Sequence, residues 1–71
     1  MRPCCLESAR RYLQRANQVA TCDGCGNLLL AYGDERALEA TRQTLVQQNE
    51  PFECERLGRL NVVAKARVRR T

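Results

Sequence analysis

Leu60-Asn61-Val62-Val63-Ala64-Lys65-Ala66-Arg67-Val68-Arg69 alternates almost without a break. Leu60, Val62, Ala64, Ala66 and Val68 fall on one side, and Asn61, Val63, Lys65, Arg67 and Arg69 on the other. Successive strand residues project to opposite faces, so the pattern predicts a long strand with one apolar and one largely basic face. Just upstream, Leu57-Gly58-Arg59 reads as a turn. Before it, Phe52 and Cys54 alternate with Glu53 and Glu55, which predicts a strand over Phe52–Arg56. Glu53 and Glu55 read as solvated edge charge facing arginines across the hairpin.

Working further back, Asn49 and Pro51 close a helix that Asp34 opens as N-cap. Ala37, Leu38, Thr41, Leu45 and Val46 give that helix its apolar face. Leu28-Leu29-Leu30-Ala31-Tyr32 is a short apolar run, read as a buried strand that Gly33 ends. Strand, helix, strand, strand is the order of a split β-α-β unit. There the last strand lies between the other two and antiparallel to both. Leu6, Ala9, Leu13, Ala16 and Ala20 recur at helical steps, with Pro3 suited to a first turn. A first helix is therefore expected from Cys4 or Cys5 to Gln18. The expected fold is α+β in a single domain, residues 1–71. An N-terminal helix and cysteine knuckle (1–27) pack on a three-stranded βαββ sheet with one further helix (28–69).

A chain of 71 residues with nine Leu, five Val, no Ile and no Trp has a thin core. Such a core supplies about 3–5 kcal/mol of net stability, and small domains often add a staple. The five cysteines are the candidates. Met1-Arg2-Pro3-Cys4-Cys5 leads directly into a charged segment with no apolar leader, and no run approaches a membrane span. The chain thus reads as cytoplasmic, where thiols stay reduced. An odd cysteine count also suits four ligands and one core thiol better than paired bridges.

Cys22-Asp23-Gly24-Cys25-Gly26-Asn27 sets two thiols at Cys-x-x-Cys spacing among glycines. Two thiolates so spaced can chelate one tetrahedral ion, with backbone N–H groups curled toward the sulfurs. The motif resembles the knuckle half of zinc ribbons and rubredoxin-like sites, and the resemblance implies a structural Zn2+. A full ribbon carries a second such pair, and this chain has one. Cys4 and Cys5, at a helix start where thiolates are favoured, are the expected remaining ligands. Cys54 is the rival for either position, or else a core residue beside Phe52. The alternatives to metal are free thiols or a redox dithiol. A redox dithiol normally follows a strand and opens a helix, whereas here a helix precedes and a strand follows.

Catalysis finds little support. There is no histidine, Ser8 is the only serine, no phosphate-binding loop is present, and Asp23, the one acid in the knuckle, suits a turn. Charge is uneven: residues 1–55 sum to −2, whereas Arg56, Arg59, Lys65, Arg67, Arg69 and Arg70 give residues 56–71 a sum of +6 with no acid. The expected function is a small zinc-stabilised binding module, not an enzyme. Arg59, Lys65, Arg67, Arg69 and Arg70 would meet RNA or DNA, or a nucleoprotein complex. No aromatic residue lies in the basic segment to stack on bases. The alternatives are an adaptor that meets an acidic protein surface, and a thiol-redox or metal-transfer protein. No membrane partner is expected.

Overall fold

The computed structural model describes residues 1–67. In chain order it contains α1 (Pro3–Tyr12), β1 (Val19–Thr21), β2 (Leu28–Tyr32), α2 (Glu35–Gln47), β3 (Phe52–Leu57) and β4 (Leu60–Lys65). The strands form one antiparallel sheet in the order β1-β2-β4-β3. As expected, β4 lies between β2 and β3 and runs antiparallel to both.

The first correction is a fourth strand. Val19–Thr21 pairs with β2 in the register Val19↔Leu30, Ala20↔Leu29 and Thr21↔Leu28. The knuckle is therefore the loop of a hairpin. A related correction is the length of α1, which stops at Tyr12 instead of Gln18. Leu13 turns extended, and the Gln18 side-chain oxygen accepts the N–H groups of Gln14 and Arg15 at 2.6 and 2.9 Å. Asn17 then takes a positive φ of 67°. Hydrogen bonds from Asn17 N to Ala31 O and from Ala31 N to Gln18 O stitch the returning chain to β2.

The other limits follow from local chemistry. Asp34 caps α2 by accepting the Arg36 N–H at 2.9 Å. At its far end Asn49 adopts φ 56°, its N–H bonds to Val46 O, and the Glu50 N–H bonds to Leu45 O. That is the paired bonding of a Schellman cap, here built on Asn. Gly58, at φ 60°, makes the turn from β3 to β4.

Helices cover both faces of the central strands. On one side Cys5, Ala9 and Leu13 of α1 and its end pack with Cys22, Leu29, Ala31, Val62 and Ala64. On the other, Leu45 of α2 is buried above Leu30, Val63 and Lys65. This corrects the reading of the last strand. Its alternation is present, but its second face is not open to solvent: Val63 is fully buried and Lys65 half-buried. The strand ends at Lys65, and Val68 lies outside the described residues.

The helix α2 reaches β2 and β4 and leaves β3 at its margin. Val46 is consequently 64% exposed, although its spacing placed it on the apolar face. Cys54 is exposed as well, where a core position was expected. Glu53 and Glu55 face Ala64 and Val62 across the hairpin, and no arginine.

Candidate metal centre

The cluster is assembled from two helix residues and one loop. Pro3 begins α1, and the N–H groups of Cys5 and Leu6 both bond back to Arg2 O. This tight first turn aims the adjacent Cys4 and Cys5 at a common point. The hairpin loop supplies the other half. Cys22 N bonds to Asn27 O at 2.8 Å, and Gly26 N to Cys22 O at 3.0 Å. Gly26 has φ 79°, a left-handed conformation open to glycine at little cost.

The Sγ atoms of Cys4, Cys5, Cys22 and Cys25 all lie within 4.8 Å of one another. Tetrahedral zinc with Zn–S near 2.3 Å separates its sulfurs by about 3.8 Å. The Cys5 Sγ to Cys25 Sγ separation is 3.5 Å. All four cysteines that the sequence nominated are brought together. Cys54 is not among them: it sits on β3, opposite Val63.

Gly24 is needed for close approach. A Cβ on it would lie 2.7 Å from Cys4 Cβ and 3.2 Å from Cys4 Sγ, inside van der Waals contact. Around the sulfurs stands a shell of donors. Ser8 Oγ donates to Cys22 Sγ at 3.7 Å and accepts the Asp23 N–H at 3.1 Å. Gly24 N donates to Cys22 Sγ at 3.4 Å, and Asn27 Nδ2 to Cys5 Sγ at 3.9 Å. Outside the cluster the Tyr12 hydroxyl donates to Asp23 Oδ2 at 2.6 Å, and Arg11 Nη1 lies 3.4 Å from the same oxygen. These contacts fasten the far end of α1 to the loop.

The electrostatics favour a cation. Burial raises the Cys22 thiol, but N–H groups of Cys25 and Gly24 and the Ser8 hydroxyl outweigh it and hold Cys22 down at about 6. Burial pushes Cys5 up to about 12, reinforced by hydrogen bonds with Cys25 and Cys22. Cys4 is raised by its hydrogen bond with Cys22 and next by burial. The bare cluster thus accommodates the Cys22 thiolate and resists further negative charge, whereas a divalent ion would stabilise all four thiolates together.

Sequence reasoning read Ser8 only as a mid-helix serine without a base. Its place was signalled by spacing, since it stands one helical turn beyond Cys4 and Cys5 and so shares their face.

Among the described residues, three of the expected partner-binding cations, Arg59, Lys65 and Arg67, are not gathered. Lys65 Nζ is 3.2 Å from Glu50 Oε2 beneath α2. Arg59 is exposed in the β3–β4 turn and Arg67 beyond the other end of β4, so roughly 20 Å of strand separates them. Arg56 Nε is spent locally on Gly58 O at 3.2 Å. Arg69 and Arg70 lie outside the described residues.

Among the described residues no helix is long and apolar enough to cross a membrane. Comparison of the chain with protein-family models, curated proteins and solved structures finds no match.

Proposed function

We propose that this chain is a small, zinc-stabilised, non-catalytic binding module. The observation that carries the reading is the convergence of four cysteine sulfurs within 4.8 Å from α1 and the β1–β2 hairpin. A soft, all-thiolate set suits zinc or iron, and four protein ligands close the coordination shell as structural zinc sites do. Here the ion would join the first helix to the sheet of a domain whose core is small. Its binding free energy would then be folding free energy.

For the contact surface, the geometry supports protein interaction ahead of nucleic acid. With Lys65 tied to Glu50, a phosphate track would rest on Arg59 and Arg67 at opposite ends of β4, joined by Arg69 and Arg70. Native mass spectrometry of the freshly purified chain tests the metal. One zinc per chain, lost to chelator together with helical circular dichroism, is expected. A metal-free chain with unchanged melting sinks the reading. Retention on immobilised RNA at low salt, lost on Arg59→Ala with Arg67→Ala, would restore nucleic-acid contact, the reading expected from the sequence, to first place.

A further inference from the structure

β3 is one margin of the sheet, and among the described residues no strand pairs with its outer side. Such a margin presents backbone N–H and C=O groups at regular spacing, which is a template for an added strand. Two features give this margin a definite chemistry. On the α1 face stand Glu53 and Glu55, with side chains 55% and 41% exposed. Their neighbours on β4 are Ala64 and Val62, and the N-terminal ammonium of Met1 lies 3.4 Å from Glu53 Oε2 and 4.0 Å from Glu55 Oε1, so the two carboxylates share one positive charge and the pair stays acidic. On the α2 face Phe52 and Val46 line a groove of 270 Å³ between α2 and β3, bordered by the polar side chains of Glu39, Arg42, Gln43 and Gln47. Cys54 follows Phe52 on that same face.

We infer that the outer edge of β3 docks an extended protein segment in which basic and apolar residues alternate. Cross-strand neighbours on one face interact directly, so an added strand would set its basic residues beside Glu53 and Glu55. Its intervening residues would then fall on the other face, over Phe52 and Val46. A second copy of the chain fits badly. An inverted β3 would set the glutamates of one copy against those of the other, and like charges facing each other destabilise a strand pair. The inference deepens the binding-module reading and does not depend on which metal is bound.

The test titrates the zinc-loaded full chain with a capped synthetic peptide of alternating Lys and Val, followed by amide NMR. Saturable shifts at residues 52–57 and at Val46 are expected, with new exchange protection in β3. The Glu53→Lys, Glu55→Lys double variant is expected to bind about tenfold more weakly and to accept a Glu/Val peptide instead. Should that variant not fold, Glu53→Gln with Glu55→Gln is expected to lose about threefold. Shifts centred elsewhere, equal binding of a scrambled peptide with contiguous lysines, or unaltered affinity in the folded variants would overturn the inference. So would self-association that protects β3 without peptide. A zinc-loaded chain that ignores the peptide defeats this inference alone, and a metal-free folded chain that binds it defeats the zinc reading alone.

Discussion

Ser8 is both donor and acceptor to the loop that carries Cys22: its hydroxyl donates to Cys22 Sγ at 3.7 Å and accepts the Asp23 N–H at 3.1 Å. One buried helix side chain therefore orients a cluster sulfur and satisfies the backbone beside it. Replacing Ser8 with Ala removes both bonds without removing a sulfur. Groups that orient ligands typically contribute 10–100-fold to metal affinity. Ser8→Ala is expected to keep one zinc but to bind it roughly 10–100-fold more weakly in a chelator competition. Unchanged affinity would show that the hydroxyl is incidental.

Gly24 and Gly26 should fail for different reasons. At Gly24 an added methyl meets Cys4 at 2.7 Å, so Gly24→Ala must push α1 away from the loop. A loss of about 1–3 kcal/mol and weaker metal binding are expected. Gly26 has nothing within 4 Å of a built Cβ, but its φ is 79°. Gly26→Ala is expected to cost about 1–2 kcal/mol through backbone strain alone, and Gly26→Asn less. Thermal melts of the three variants in excess zinc make the comparison.

Thiol labelling distinguishes the two environments of cysteine. Cys54 is exposed and apart from the cluster, whereas the other four surround one point. With metal bound, N-ethylmaleimide is expected to label Cys54 rapidly and the remaining four slowly. With chelator present all five should react. Equal rates for all five in the metal-loaded chain would contradict a four-sulfur centre.

Metal loading should release protons. Cys5 sits at about 12 and Cys4 is raised, so both are thiols at neutral pH in the metal-free cluster and must deprotonate to bind. Cys22, at about 6, is already largely thiolate there. The metal-bound state carries fewer protons than the metal-free one, so raising pH favours binding. Lowering pH opposes it, most steeply once Cys22 protonates below about 6. Calorimetry at neutral pH in buffers of different ionisation enthalpy checks this. A buffer-independent heat would refute proton release.

Much of the architecture was legible because its signals are local. Asp34 and Asn49 bracket α2 by capping chemistry, and the alternation of Leu60, Val62 and Ala64 marks a strand. What escaped depends on contacts between distant residues. Val19–Thr21 is too short to show a period, and it becomes a strand only because β2 lies beside it. α1 ends early because Gln18 reaches back to the N–H groups of Gln14 and Arg15, which no helical spacing announces. Alternation places Phe52 and Cys54 on one face, yet says nothing about how far α2 extends over it. The meeting of Cys4, Cys5, Cys22 and Cys25 was legible from thiol spacing and helix position. Ser8 was passed over because serine was weighed as a nucleophile and not as a support.

The order of strands in the sheet also sets an order of assembly. β4 is the last of these elements to be synthesised, yet it occupies the sheet's interior. Until residues 60–65 leave the ribosome, β3 has no neighbour and β2 has only the three-residue β1. All four sulfurs, by contrast, lie within the first 25 residues. A nascent chain can therefore bring its four sulfurs together before the sheet is complete, and the late arrival of β4 joins β3 to the β1–β2 hairpin.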